Sequence, residues 1–169
     1  MELSKDTMIL MADGSLKAIQ DILIGDRVMS GNSPNAIRDV MTGFEESLVV
    51  IKIDSGQELC ITNGSFIETK DGVIPVGKLC ISDFIKTVNG FMEVVDISEV
   101  KYNGRIYILS LEDACSPTYI ANEIFIVGDM NWMNNQYHLK MNNNHQMPKS
   151  VLEELNKMKE EVNSVNKLK

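Results

Sequence analysis

Residues 13–31 read DGSLKAIQDILIGDRVMSG, and residues 71–90 read DGVIPVGKLCISDFIKTVNG. Each opens on an Asp-Gly turn and closes on a Gly. Ile19, Ile22, Asp26 and Val28 of the first align with Val76, Leu79, Asp83 and Ile85 of the second. The match extends outward: LVVIKID at 48–54 resembles IYILSLE at 106–112, and GSFIET at 64–69 resembles NEIFIVG at 122–128. The spacing is roughly 58 residues throughout, and self-similarity at a fixed spacing is a signature of repeated architecture. Two copies imply a pseudo-twofold domain in which neither half buries its apolar face alone.

The texture inside the repeat is strand-like. TMILM, DRVMS, SLVVIKI, ELCIT, SFIET, DFIKTV, MEVVDISEV, RIYILSL, TYIA and EIFIV are short runs rich in Val, Ile, Thr and Phe. The turn signals ADGS, SGNSPN, DSG, TNGS, KDG, VNG and YNG separate them. AIQDIL and VGKLCI each predict a short helical turn. Many short strands between Gly/Asn turns give an all-β fold over residues 1–128.

Beyond Gly128 the pattern changes. Residues 129–147 are rich in Asn and Met and read as a linker or strap. Residues 148–169, PKSVLEELNKMKEEVNSVNKLK, predict an amphipathic C-terminal α-helix. Ser150 and Glu153 form a capping box behind Pro148. Val151, Leu155, Met158, Val162 and Val165 follow a heptad seam. An isolated helix of this length is marginal in water, so the seam calls for the chain's own domain, a protein partner or self-association.

The 169 residues carry 24 acidic and 16 basic side chains, a formal charge of −8. Nucleic acid and anionic membrane are poor partners for that balance, since both need a basic footprint. No apolar run reaches the roughly 20 residues of a membrane helix. Cys60, Cys80 and Cys115 are odd in number and widely spaced, without metal-ligand spacing. They read as reduced thiols, and with no leader sequence the expected location is cytoplasmic. No metal or cofactor is called for.

The opening stretch, LSKDTMILMADGSLKAIQDILIGDRVMSG, closely resembles the start of Hint domains, the fold shared by inteins, bacterial intein-like proteins and the autoprocessing half of Hedgehog proteins. GQELCITNGSFIETKDGVIPVGKL resembles the block that in this family carries a Thr-x-x-His motif, and IYILSLEDACSPTYIANEIFIV resembles the closing block. The resemblance covers about residues 2–128 and implies a pseudo-twofold β-horseshoe. In active members a Cys or Ser at the first position attacks the preceding carbonyl, an N-to-S or N-to-O acyl shift through a five-membered ring. A His polarises that peptide bond, and a closing His-Asn releases the C-terminal side.

Carried over position by position, these roles find few takers. The nucleophile position falls on Glu2, whose carboxylate cannot perform the acyl shift. The chain starts at Met1, so no upstream segment is expected for release. Thr62 matches the family's Thr, but the His position is Ser65, whose hydroxyl cannot supply a proton near neutral pH as imidazole does. The His before TYIAN is replaced by Pro117, and the terminal His-Asn positions fall on Val127 and Gly128. Ser4, expected on an edge strand, and Asn131 are the residual candidates for nucleophile and cyclising amide. His138 and His145 both lie in the Asn-rich segment, where a solvated role is expected. The leading expectation is a catalytically degenerate Hint-like domain acting as an interaction or scaffold module. The alternative is an autoprocessing protein with residual acyl shift or Asn cyclisation. A third reading is a peptide or small-ligand pocket at Glu2, Thr62 and Ser65.

Overall fold

The computed structural model describes residues 2–113 and 118–128. Within them the chain forms twelve β-strands and two 3-10 turns, with no α-helix. β1 (Leu3–Ser4), β2 (Met8–Leu10) and β3 (Leu16–Ala18) precede a 3-10 turn at Ile19–Asp21. β4 (Arg27–Ser30) and the long β5 (Ser33–Ile53) complete the first half. The second half repeats the order with β6 (Glu58–Ile61), β7 (Phe66–Thr69), β8 (Gly72–Pro75), a 3-10 turn at Val76–Lys78, β9 (Phe84–Thr87) and the long β10 (Gly90–Leu111). The closing hairpin is β11 (Thr118–Ala121) and β12 (Ile124–Val127). The predicted C-terminal helix with its seam Val151, Leu155, Met158, Val162 and Val165, the 129–147 segment, Cys115, Pro117, Asn131, His138 and His145 lie outside the described residues.

The internal repeat is visible bond by bond. Ile19 N–H donates to Thr7 O at 2.9 Å, and Val76 N–H to Ser65 O at 2.7 Å. Gly25 N–H donates to Ile37 O at 2.8 Å, and Ser82 N–H to Val94 O at 2.9 Å. Ile37 and Val94 in turn donate to the carbonyls of Asp26 and Asp83, each at 2.8 Å. The aligned aspartates explain their own presence. Asp26 Oδ2 accepts the N–H of Leu23 at 2.8 Å, and Asp83 Oδ2 accepts that of Cys80 at 2.7 Å. Each closes the loop after its 3-10 turn by satisfying a backbone donor that no strand reaches.

The aligned apolar residues meet in one core. Ile19, Ile22, Val28, Val76, Leu79 and Ile85 all belong to the same buried cluster, together with Leu3, Ile9, Ile51, Ile61, Ile67 and Ile126. Burying a side chain of this size contributes about 1.5–3 kcal/mol. The cluster draws on both halves, as the repeat requires.

Two expectations are corrected. β1 is not an edge strand: Leu3 pairs with Tyr107 of β10 on one side and Ile61 of β6 on the other. Ser4 is accordingly buried, at 8 % exposure. The strand is too short to show alternation, so its central place was invisible in sequence. Second, YNG at 102–104 does not break the chain into two strands. β10 runs through it, absorbing the irregularity as a register shift between Lys101 and Gly104, with Asn103 at a φ of 48°. Likewise Arg38–Ser47, which shows no apolar alternation, continues β5. Most of that segment is exposed, so no buried face imposes a period of two.

Candidate functional site

Glu2, Thr62 and Ser65 converge. The N–H of Glu2 donates to Ser65 Oγ at 3.1 Å. The carbonyl of Glu2 accepts the N–H of Thr62 at 3.1 Å. The two side-chain hydroxyls, Thr62 Oγ1 and Ser65 Oγ, lie 2.9 Å apart in a hydrogen bond. Thr62 is 7 % exposed and Ser65 1 %. The geometry follows from a tight turn between β6 and β7, in which Ser65 N–H donates back to Thr62 O at 3.1 Å. Gly77 packs behind it: a Cβ there would stand 2.6 Å from Asn63 Oδ1, so the exposed Asn63 side chain would have to move.

The closing hairpin reaches the same neighbourhood. Ile126 of β12 pairs with Ile67 of β7 in antiparallel register, two residues along the chain from Ser65. Val127 is buried at 2 % exposure and pairs with Thr118. The opening strand, the Thr-x-x-Ser turn and the closing strand are therefore grouped together. Ser4 points into a different set of bonds: its Oγ lies 3.3 Å from Thr7 Oγ1, and Thr7 Oγ1 donates to Ser4 O at 2.8 Å.

That second hydroxyl pair was missed in the sequence. Ser4-x-x-Thr7 and Thr62-x-x-Ser65 are both 58 positions apart and form the same side-chain contact in each half. Cys60 stands at the same spacing from Glu2. Burial pushes the Cys60 thiol up, against the opposing effect of a hydrogen bond with Ser4. A thiol held in its protonated form is a poor nucleophile. The signal was legible in principle, as two small hydroxyl residues three apart, repeated at the interval of the apolar pattern.

Among the described residues there is no histidine, and the cysteines are Cys60 and Cys80. Around Glu2 the functional side-chain groups among the described residues are therefore one carboxylate and two hydroxyls. Ser65 Oγ positions the Glu2 N–H, and the backbone N–H of Thr62 positions the Glu2 carbonyl. At neutral pH these side chains have no titratable donor to protonate a leaving amide. No helix among these residues is long and apolar enough to cross a membrane.

By sequence, no family profile and no curated protein matches the chain. By structure, several solved proteins do. A DnaB intein from Synechocystis sp. PCC 6803 matches 76% of this chain and 99% of its own, with a TM-score of 0.70 at 17% identity. A bacterial intein-like domain from Clostridium thermocellum matches 75% of this chain and 97% of its own, with a TM-score of 0.68 at 24% identity. The gp41-1 intein matches 74% and 96%, with a TM-score of 0.67 at 20% identity. At these identities the likeness is one of fold, and the all-β domain of this chain has the intein-like Hint fold.

Proposed function

We propose that this chain is a Hint-fold domain that keeps the frame of a self-processing site without its chemistry, and that it serves as a protein-interaction or scaffold module. The observation that carries this reading is the bond from Glu2 N–H to Ser65 Oγ. The amide that active Hint domains cleave corresponds to the peptide bond entering Glu2. Here that amide is held by a neutral hydroxyl, and the side chain beside it is a carboxylate.

Each difference removes a separate step. A glutamate oxygen does not form the five-membered ring through which a Cys or Ser attacks its own amide. Ser65 stabilises the ground state of the amide, yet at neutral pH it has no proton to deliver as the C–N bond breaks. Groups that act as one unit are not replaced singly. Ser4 Oγ lies 3.3 Å from Thr7 Oγ1, and no histidine among the described residues is present to activate it. A protein partner is the use this reading gives to a well-packed β-domain followed by a heptad-patterned segment at 148–169, whose seam Val151, Leu155, Met158, Val162 and Val165 would supply one contact surface.

The test is the intact mass of the full chain during prolonged incubation with thiol or hydroxylamine. An unchanged mass is expected. Loss of mass at the Glu2 junction or after Asn131 would establish residual self-cleavage in its place.

A further inference from the structure

Three Asn-Gly pairs occur in the sequence, at 63–64, 89–90 and 103–104. The fold treats them differently. Gly90 lies in the β9–β10 ladder opposite Thr87, whose Oγ1 donates to Gly90 O at 2.8 Å and accepts the Asn89 N–H at 3.2 Å. Gly104 lies inside β10, opposite Glu45. Asn63 and Gly64 stand outside the strands, at the exposed middle of the turn that Ser65 N–H closes on Thr62 O at 3.1 Å. Gly64 N–H has no hydrogen-bond partner among the described residues.

Two features of that turn favour a reaction between the Gly64 nitrogen and the Asn63 side chain. Gly77 N–H donates to Asn63 O at 3.0 Å, and that oxygen belongs to the same peptide group as the Gly64 N–H. A donor there stabilises the negative charge that develops on the oxygen as Gly64 N–H loses its proton. The Gly64 position is also open. A Cβ built on it would meet no heavy atom within 4 Å beyond its chain neighbours, so solvent base reaches the nitrogen without obstruction.

We propose that Asn63 is a self-modification site, at which the side-chain amide becomes a carboxylate through a cyclic imide. Hydroxide removes the Gly64 N–H proton, the nitrogen attacks Asn63 Cγ, and the new C–N bond closes a five-membered ring. Nδ2 takes a proton from water and leaves as ammonia. Water then adds to one of the two imide carbonyls and reopens the ring, as aspartate or isoaspartate. The chain stays whole, and the net exchange is amide plus water for carboxylate plus ammonium. Isoaspartate adds a methylene carbon to the main chain between Thr62 and Ser65. The hydroxyls of those two residues hold each other at 2.9 Å, and Ser65 Oγ holds the Glu2 N–H at 3.1 Å. The new carboxylate also borders the same hollow of about 100 Å³ as Glu99. Modification therefore acts on the anchor of β1. This inference goes beyond the interaction reading and does not depend on it.

The experiment is incubation of the full chain at pH 8.5 and 37 °C, native and in urea, with deamidation followed by mass spectrometry of tryptic peptides. Trypsin places the three pairs on separate peptides, 53–70, 87–101 and 102–105. In urea the three should react at similar rates. In the native chain Asn63 should react at least about tenfold faster than Asn89 or Asn103, because a glycine held in a ladder must first leave it. Gly64→Ala, which the open site accommodates, should slow Asn63 at least about tenfold, since a Cβ hinders close approach of the adjoining nitrogen. Unchanged circular dichroism would show that this variant still folds. The isoaspartate form, isolated by anion exchange, should unfold at a lower temperature than the parent. Equal native rates at the three sites, a native Asn63 slowed as much as the other two, or an unaltered rate in folded Gly64→Ala would overturn the proposal. An isoaspartate form as stable as the parent would overturn its action on β1. Hydroxylamine opens the same imide by cutting between Asn63 and Gly64. Asn63→Gln removes that cut and leaves any cut at the Glu2 junction, so this modification and self-cleavage are told apart.

Discussion

Ser65 Oγ accepts the backbone N–H of Glu2 at 3.1 Å while sharing a hydrogen bond of 2.9 Å with Thr62 Oγ1. One buried hydroxyl thus ties the first strand of the chain to a turn 63 residues away. In Ser65→Ala both the Glu2 amide and the Thr62 hydroxyl lose this partner. Unfolding in urea should show a loss of about 1–3 kcal/mol, with intact mass unaffected. A variant as stable as the parent would mean that this hydroxyl holds nothing.

Gly25 and Ser82 occupy matching places in the two halves, with φ of 88° and 74°. The left-handed region costs a residue with a Cβ about 1–2 kcal/mol, partly offset by the greater chain entropy that glycine loses. Ser82→Gly should therefore raise stability by about 0.5–1 kcal/mol. Gly25→Ser should lower it by a similar amount, since a Cβ there meets no atom within 4 Å and only the backbone angle is at issue. Thermal midpoints of the two variants, moving in opposite directions, check this.

Asp26 is hydrogen-bonded to Lys17 Nζ at 2.7 Å and to the Leu23 N–H. The Lys17 bond, more than the backbone one, holds its carboxyl below the ordinary value of 3.8. A carboxyl depressed in the folded state stabilises fully above its unfolded value, and that contribution fades as pH falls through the folded one. With both side chains partly exposed, at 32% and 24%, the effect is about 1 kcal/mol. Asp26→Asn should cost this much at pH 7 and little at pH 2, as measured by urea unfolding at both. An equal cost at both would assign the residue a packing role only.

Tyr119 is fully buried, and its hydroxyl has no hydrogen-bond partner among the described residues. Burial also pushes its pKa well up. An unmade buried hydrogen bond is a standing cost, so Tyr119→Phe should match or exceed the parent in stability, by up to about 1 kcal/mol. A substantial loss would reveal a partner for the hydroxyl.

The repeat made the fold legible. Ile19, Ile22 and Val28 pack beside Val76, Leu79 and Ile85 because the same apolar spacing serves the same place in each half, and both predicted helical turns are present. What escaped the sequence had no buried face to write a period. Arg38–Ser47 belongs to an exposed ribbon, so its strand carries no alternation. Two residues of β1 cannot announce whether they are central or peripheral. At the candidate site, Glu2, Thr62 and Ser65 are singled out by resemblance to Hint domains, and the structure joins the three by hydrogen bonds. The Ser4–Thr7 pair was overlooked because hydroxyls vary in identity between the halves while their spacing does not.

The central claim is that the frame of a self-processing site persists here without its reaction. It is tested most directly by fusing a reporter domain ahead of Glu2 and incubating the fusion with hydroxylamine, which intercepts any ester or thioester formed at that junction. The account predicts that the reporter stays attached over days at neutral pH. Hydroxylamine-dependent release of the reporter, cut at the bond entering Glu2, would contradict it.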